Sequence, residues 1–354
     1  MIPILYEVGE QDFDNNGIGH LADCLSCIVT EQRNGIYDLE MTYPVNGLNY
    51  DEISERRIIY APHDSSEEYQ PFDIVQISKP LKGAVTIRAN HVSYRLNQTV
   101  VRPFTSKATS LSDAFSKIPD RLARYQNSPF TYTTYKQVEG DFNFKTPRSV
   151  KSLLFGEEGS ILDVYGTGEY EFDHFNVILR VKRGDTDTGA VIRYGDAMRD
   201  LKYESDISDV WDGVVPYWFD ESNRVVVCGN TVGVSSEVDT IPRRVITLDC
   251  SEKFETQPTG AQLTAAAETY INNNRPGGIP LKIEVDMMDT SENTRFQNLK
   301  LCDYVTIAHE NMGIWTDSEI IETQYDVLRE RYKKLTIGTI KKSLRDAIRK
   351  TVGG

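Results

Sequence analysis

The sequence lacks any apolar run of about 18 residues, so no segment is long enough to span a bilayer as a helix. It also has little cysteine, with 5 among 354 residues, and an odd number on a long chain argues against a disulfide framework. No basic stretch precedes the first apolar residues, and acidic residues follow soon after, which argues against a secretory signal. We therefore expect a chain that is made and folds in a cytoplasm.

Positive charge is also scarce. Lys and Arg number 39 against 53 Asp and Glu, which gives a net charge of −14. Binding to DNA phosphates requires clustered Lys and Arg, so this balance argues against a sequence-reading DNA protein. An acidic wall repels phosphates, however, and repulsion suits a conduit through which DNA slides.

The motifs of common catalytic sites are missing as well. The sequence contains no H-E-x-x-H, no G-x-S-x-G, no P-loop and no Rossmann glycine pattern. His20, Cys24 and Cys27 could contribute to a zinc site, but no second ligand pair stands at zinc-finger spacing, so two small buried cysteines are the favoured interpretation. We expect no catalytic residue, no cofactor and no metal site.

What the sequence does contain is a series of strand patterns. Cys27–Gln32 and Ile36–Tyr43 flank Asn34-Gly35, a pair typical of tight hairpin turns. In the second strand, alternation places Asp38 and Glu40 on the solvated face. Further strands are predicted, with a bend near His91, over the following ranges: 57–61, 72–78, 84–96, 224–231, 244–249, 281–286, 304–309, 319–328 and 331–338.

Helical patterns are fewer. Ser110 with Asp113 forms a capping pattern before the apolar residues up to Ile118. A clearer helix is predicted over Ala261–Asn273, ending at an Asn-rich and Gly-rich stop.

The middle of the chain combines short helices with strands. Short helical pieces at Ser149–Phe155 and Ile161–Tyr165 lead into a strand at Glu169–His174. Asn176–Lys182 and Ala190–Tyr194 are then predicted to form a hairpin across the Gly-Asp-Thr-Asp-Thr-Gly loop. That loop begins like a calcium loop, but the later glycine and glutamate that such a loop needs are missing.

Aromatic side chains cluster at Tyr217, Trp218 and Phe219. One interpretation is a carbohydrate platform. The favoured one is a core and subunit or partner interface, where Tyr and Trp are also enriched.

The order of several segments resembles the N-terminal hub region of the phage tail family labelled prophage tail endopeptidase, or tail-associated lysin, found in long-tailed phages of Gram-positive bacteria. Two departures are small: Cys302 stands where Gly is usual, and Asp196 where Lys is usual. The segments that carry the resemblance are Gly35–Pro44, Tyr69–Ile74, Ala89–Tyr94, Gly159–Asp163, Glu171–Asp173, Arg183-Gly184, Tyr194-Gly195, Leu301–Val305 and Leu335–Gly338.

This resemblance implies a mainly β fold with α+β insertions, in which two β-barrel domains like those of contractile-tail baseplate hubs flank an inserted module. The expected domains are a first barrel at 1–105, an α+β module at 106–195, a second barrel at 196–340 containing the helix 261–273, and a basic helical tail at 341–354. Many relatives continue into a wall-cleaving or fibre-like domain, whereas this sequence stops at Gly354.

The resemblance also implies a function. We expect a homotrimeric structural hub at the tail tip of the virion, assembled in the host cytoplasm, which closes the tail tube and opens for genome passage. Expected partners are the distal tail protein, the tape measure protein and receptor-binding or baseplate proteins, with DNA only in passage. Asp38 and Glu40 are candidate conduit-facing residues. The alternatives are a cell-wall hydrolase and a host-polysaccharide-binding tail protein.

Overall fold

The computed structural model describes residues 1–78, 83–123, 128–155, 159–194, 198–205, 211, 213–220, 222, 224–233, 244–251, 253–254, 256–274, 281–287, 296, 298–309 and 314–338. Packing divides the chain into two units, one formed by Met1–Tyr203 with Lys282–Gly354 and the other by Glu204–Leu281.

Strands dominate the secondary structure. They are β1 Ile4–Tyr6, β2 Gly19–His20, β3 Ser26–Gln32, β4 Tyr37–Pro44, β5 Ile58–Pro62, β6 Tyr69–Ser78, β7 Ala84–His91, β8 Val100–Val101, β9 Phe104–Ser110, β10 Thr131–Thr134, β11 Glu139–Phe144, β12 Arg148–Ser149, β13 Glu169–Asp173, β14 Asn176–Arg180, β15 Val191–Arg193, β16 Met198–Ser205, β17 Gly213–Asp220, β18 Val225–Cys228, β19 Val232–Gly233, β20 Val245–Asp249, β21 Leu281–Met287, β22 Tyr304–His309, β23 Ile314–Asp326 and β24 Arg331–Gly338.

The helices are short apart from the last. They are α1 Leu111–Ser116, α2 Val150–Leu154, α3 Ile161–Tyr165 and α4 Gly260–Asn274, with 3-10 turns at Tyr50–Glu52, Val92–Asn97 and Pro119–Arg121. In the described part of the chain, no helix has the length and apolar character needed to cross a membrane.

A 13-stranded sheet organises the first unit. Its main path runs β16-β21-β24-β23-β3-β4-β7-β6-β5-β1-β2, while β22 pairs with β23 and β15 with β22. The predicted β3–β4 hairpin is confirmed, and Asn34 at its turn has the positive φ of 54° that Asn tolerates. Because β23 pairs antiparallel with β3, strands from both ends of the sequence share one sheet.

Alternation along β4 decides which face of the sheet is buried. Leu39, Met41 and Tyr43 are fully or almost fully buried. Asp38 and Glu40 lie on the opposite, more exposed face, as the sequence predicts. The predicted bend is also confirmed, because β7 ends at His91 and a 3-10 turn follows.

The middle of the first unit carries its own small sheet, in the order β10-β14-β13, together with α1, α2 and α3. Ser110 caps α1 as predicted, since its side chain accepts a hydrogen bond from the Asp113 amide. The hairpin predicted across the loop at 184–189 is wrong. β14 pairs with β13 and β10, whereas β15 runs parallel to β22.

The reason for the failed hairpin is a tertiary contact. The backbone amide of Asp185 donates to Asp303 Oδ1 at 2.8 Å, and the Tyr304 amide donates to the Asp185 carbonyl at 2.8 Å. These bonds direct the chain toward β22, so the loop connects two sheets instead of closing a hairpin.

The second unit is built around β17. β18 and β19 pair with it antiparallel and β20 pairs with it parallel. Trp218, Cys250 and Leu263 form its buried core, with Leu263 supplied by α4. The predicted helix over 261–273 is thus confirmed with slightly wider bounds.

The predicted fold class, mainly β with α+β insertions, is confirmed. The domain boundaries at 105, 195 and 340 remain a prediction, and the tail predicted at 341–354 lies outside the described residues.

Candidate functional site

Three of the segments that carry the family resemblance meet at one buried cluster of hydrogen bonds. Gln70 on β6 accepts a hydrogen bond from His91 Nε2, at the end of β7, at 3.3 Å. The same Gln70 oxygen accepts from the His174 amide at 2.7 Å, and Gln70 Nε2 donates to Asp173 Oδ1 at 3.1 Å. Gln70 therefore links β6, β7 and the end of β13 through one side chain.

The hydrogen bonds of His91 determine its protonation. Its Nδ1 accepts from the Ser93 amide at 3.3 Å, so the proton resides on Nε2, which faces Gln70. The ring is fully buried and stacks on Tyr37 with centroids 4.2 Å apart. Burial lowers the pKa of His91 well below its ordinary value, because a buried imidazolium would lose its hydration. His91 is thus a neutral core residue.

A second chain of hydrogen bonds leaves the same cluster. His174 Nδ1 contacts Asp173 Oδ1 at 2.7 Å, and Tyr60 Oη lies 2.9 Å from His174 Nε2. This order resembles a nucleophile, base and acid chain. Burial, however, raises the pKa of Tyr60 to about 12, which opposes formation of a phenolate nucleophile. The His174 bond lowers the pKa of Asp173 to about 2, against the effect of burial.

Next to this cluster lies a buried ion pair between β3 and the segment after β14. Arg183 Nη1 contacts Glu31 Oε1 at 2.8 Å, and the other Glu31 oxygen lies 3.2 Å from His63 Nδ1. Burial opposes ionisation of Glu31, but Arg183 and His63 outweigh it and hold the pKa of Glu31 at about 2. Burial likewise opposes protonation of His63, yet Glu31 and Asp64 raise its pKa.

Two further carboxylates face each other beside that pair. Arg33 donates to Glu319 on β23 and lies 3.8 Å from Glu169 on β13. The second oxygen of Glu169 accepts from the Arg183 amide at 2.6 Å. The Cys302 thiol lies within 4.8 Å of one oxygen of each carboxylate. One guanidinium therefore serves two buried carboxylates.

The Arg183-Gly184 segment fixes this arrangement through the backbone. A Cβ on Gly184 would lie far inside the van der Waals distance of the Cys302 carbonyl and the Asp303 amide. Cys302 has a positive φ of 74°, a conformation that favours glycine. Glycine, which the family resemblance implies at the position of Cys302, adopts this conformation without strain. The other departure, Asp196, lies outside the described residues.

The turn between β3 and β4 makes a further contact with the small sheet. Asn34 Nδ2 donates to the Gly168 carbonyl at 2.9 Å, and Asn34 Oδ1 accepts from the Tyr170 amide at 2.8 Å. The Asn34 side chain thus pairs one backbone carbonyl and one backbone amide at the start of β13. The turn that the sequence predicted thus also docks the small sheet onto the large one.

The predicted interface residues lie in the second unit, away from this cluster in the sequence. Trp218 is only 7% exposed, and its Nε1 donates to the Phe254 carbonyl at 3.2 Å. Tyr217 is half-buried and donates to Asp249 at 2.8 Å. Phe219 is the exposed member of the three, at 37%. Their role as an interface stays a prediction.

The predicted conduit-facing residues lie on the outer face of the large sheet. Glu40 is exposed and lies 3.1 Å from Arg88 on β7. Asp38 is half-buried, and burial raises its pKa despite a hydrogen bond from Tyr94. Both line a shallow groove together with Thr30 and Val75. Their exposure to a conduit stays a prediction.

His20, Cys24 and Cys27 do not form a group with metal-binding geometry in the part of the chain that the structure describes. His20 is exposed on β2, Cys27 is fully buried, and Cys24 Sγ contacts the Ser26 carbonyl at 3.2 Å.

Taken together, the geometry is that of a joint that holds the small sheet on the large one. The sequence reading missed the roles of Glu31, Arg33, Glu169 and Glu319. The signal in the sequence was Arg183-Gly184, one of the segments that carry the family resemblance.

Comparison with known proteins gives a family match over part of the chain and a shared fold over nearly all of it. The model of a family described as "Prophage endopeptidase tail" matches residues 240–348. No curated protein matches the chain. Similar solved structures include prophage tail protein gp18 from Listeria monocytogenes, with a TM-score of 0.62, 16% identity and coverage of 98% of this chain and 97% of that one.

Two more tail proteins have the same fold. The 43 kDa tail protein of prophage MuSo2 from Shewanella oneidensis has a TM-score of 0.62 and 12% identity, covering 96% of this chain and 98% of that one. A tail protein from Neisseria meningitidis has a TM-score of 0.61 and 9% identity, covering 96% of each chain. The family resemblance seen in the sequence is thereby confirmed: this chain matches the prophage endopeptidase tail family over residues 240–348 and has the fold of prophage tail proteins over nearly its whole length.

Proposed function

We propose that this chain is a structural protein of a phage virion, a homotrimeric hub at the tail tip. It closes the tail tube before infection and opens for the genome. Its partners are the distal tail protein, the tape measure protein and receptor-binding or baseplate proteins, and DNA passes without specific binding. Assembly takes place in the cytoplasm of the bacterial host.

The observation that carries the proposal is the shared fold over nearly the entire length of prophage tail proteins, at both chain ends and in the middle. A match confined to one domain would fit a module reused in an unrelated protein. A match over the whole length of both chains favours the same kind of building block in a tail.

The buried joint supports a structural role. Asn34, Gln70 and Arg183 each connect the large sheet to the small one through side-chain bonds. Buried side-chain hydrogen bonds between two elements favour one relative position of those elements. Rigidity across such a joint suits a subunit that must keep a tube closed.

Exposed apolar side chains support assembly. Leu25, Leu48, Val75 and Trp315 are between 51% and 64% exposed in the isolated chain. Subunit and partner contacts would cover such side chains. Phe219 is a further candidate for this role.

The direct test is stoichiometry. Light scattering of the purified chain, alone and mixed with the distal tail protein of the same phage, should give a trimer in at least one condition. Electron microscopy of the tail tip should give threefold or pseudo-sixfold symmetry. A chain that remains monomeric alone and also fails to bind the distal ring would refute the hub.

The conduit can be tested separately. Glu40→Lys places a positive charge on the candidate conduit face, and Glu55→Lys makes the same change at another exposed position. If Glu40 faces the conduit, particles carrying Glu40→Lys should assemble normally but deliver DNA less efficiently, because phosphates bind the wall. Equal delivery by both variants would remove Glu40 from the conduit.

The rival function is a cell-wall hydrolase, and the Tyr60, His174 and Asp173 chain is the observation in its favour. The raised pKa of Tyr60 opposes it. We expect no clearing of Gram-positive cell walls in a zymogram, with or without chelator. Clearing by the natural chain that disappears in a folded Tyr60→Phe variant would establish the enzyme instead.

Polysaccharide binding through Trp218 has less support, because this side chain is only 7% exposed. Binding to host wall polysaccharide that depends on the exposed Phe219 would revive this alternative.

A further inference from the structure

Three potential metal ligands converge inside the first unit. One ligand atom each from Glu169, Cys302 and Glu319 lies within 4.8 Å of the other two. The three side chains belong to β13, to the turn before β22 and to β23. Their residues are 7%, 1% and 7% exposed, so the group is an interior feature and not a surface cluster of acids.

One of these ligands has an unused acceptor. Glu319 Oε2 accepts from Arg33, but Glu319 Oε1 is buried and has no hydrogen-bond partner. A buried carboxylate oxygen normally accepts at least one bond, and leaving it unpaired costs free energy. Among the described residues, the Cys302 thiol also has no hydrogen bond. Two unused electron-pair donors thus lie at the same point.

Charge balance indicates what would complete the group. Glu169 and Glu319 are two potential negative charges, and Arg33 supplies one positive charge. Arg183 is already paired with Glu31. When both carboxylates are ionised, they carry one negative charge more than Arg33 neutralises.

We propose that Glu169, Cys302 and Glu319 bind a thiophilic divalent cation of the Zn²⁺ class. A thiolate with two carboxylates carries three negative charges, which the cation and Arg33 neutralise together. Binding replaces the thiol proton, so one proton leaves for each cation bound. The thiolate selects a soft metal over Mg²⁺ or Ca²⁺, which prefer oxygen ligands only.

The cation would act as a staple in the joint already described. It would join β13 of the small sheet to β23 of the large sheet and to the turn held by Gly184. Binding only to the folded chain would raise its stability by mass action.

The test uses the full chain after chelator treatment and dialysis. With Zn²⁺ at 100-fold excess over its dissociation constant, we expect one bound equivalent and a rise in melting temperature of about 5 °C. With Cd²⁺ as the probe, a thiolate charge-transfer band should appear in the ultraviolet. A pH indicator in weak buffer should report the release of the thiol proton.

Variants assign the signal to this site. Cys302→Ser and Cys302→Gly both remove the thiol, and glycine suits the positive φ at this position. Both variants should lose the Cd²⁺ charge-transfer band and the bound metal equivalent. Glu319→Gln should lose most of the metal affinity. The first matched control is Cys250→Ser, at a buried cysteine of the other unit. The second is Cys24→Ser, which removes one of the two neighbouring thiols Cys24 and Cys27. The controls should retain both signals.

Two outcomes would overturn the proposal. One is no bound equivalent in the folded natural chain, a result that does not depend on any variant folding. The other is undiminished binding in folded Cys302→Gly, which would place the metal at another cysteine. Neither outcome bears on the hub, which is tested by stoichiometry.

Discussion

Gly184 packs so closely on the backbone of Cys302 that no side chain fits between them. This contact joins the end of the small sheet to the turn that precedes β22, and it positions Arg183 and Asp185 on either side. Arg183 reaches Glu31, and Asp185 bonds to Asp303. The contact therefore holds the backbone that carries Arg183 and Asp185 in the position in which both side-chain and backbone bonds form.

Gly184→Ala should destabilise the protein by about 3 kcal/mol or prevent folding, because the added methyl group overlaps backbone that has no room to shift. Gly189→Ala in the same loop is the matched control. Gly189 has a φ of 62° but open space around it, so only backbone strain of about 1 kcal/mol is expected. Urea unfolding of both variants measures the difference, and equal costs would contradict the packing argument.

Asn34→Gly should cost about 2 kcal/mol, because it keeps the turn conformation and removes both hydrogen bonds to β13. Asn34→Ala should cost about 1 kcal/mol more, since alanine is strained at a φ of 54°. Hydrogen exchange gives a second readout. The Tyr170 amide should lose protection in both variants, and unchanged protection would show that Asn34 does not hold this edge.

Arg183→Met should destabilise the chain by about 3 kcal/mol, because the buried charge of Glu31 would keep only His63 as its partner. The double variant Glu31→Gln with Arg183→Met should recover part of that loss. Arg88→Met is the matched control. It breaks an exposed pair with Glu40 and should change the free energy of unfolding by less than about 1 kcal/mol. A double variant with strictly additive costs would argue against coupling of the pair.

The two buried histidines should give opposite pH dependences. The pKa of His91 in the folded chain lies below its ordinary value of 6.5. Its contribution to the free energy of unfolding is therefore present above pH 6.5 and is lost as the pH falls. The folded pKa of His63 lies above 6.5, so its contribution is present below 6.5 and is lost as the pH rises through the folded pKa.

Denaturant midpoints of His91→Gln and His63→Gln at pH 5.5 and pH 8.5 separate these effects. His91→Gln should lower the denaturant midpoint, relative to that of the natural chain, less at the acidic pH than at the alkaline pH. His63→Gln should lower the denaturant midpoint more at the acidic pH than at the alkaline pH. The same ranking for both variants would refute the assigned protonation states.

Local patterns in the sequence predicted much of the fold. The Asn34-Gly35 turn, the alternation along β4 and the Ser110 cap all formed as expected. So did the bend at His91 and the strand at Tyr304–His309. Each depends on residues that are neighbours in the sequence, because turn chemistry, strand periodicity and capping act over a few residues.

The candidate site was not predictable in the same way. Glu31 and Arg183 are separated by 152 positions, and Arg33 and Glu319 by 286. No periodicity connects residues that far apart. The hairpin predicted across the Asp185 loop failed for the same reason, since the bonds from Asp185 to the Asp303 turn outweighed local turn chemistry.

The sequence by itself determined a mainly β chain, the positions of most strands and the family resemblance, because these depend on side-chain alternation and on the order of short segments. The tertiary structure decided that Gln70, His91 and Asp173 share one bonded cluster, that Trp218 is core, and that Glu169, Cys302 and Glu319 meet. These arrangements depend on which strands pair across the sheets, and that pairing is set by the burial of the whole unit rather than by any local stretch.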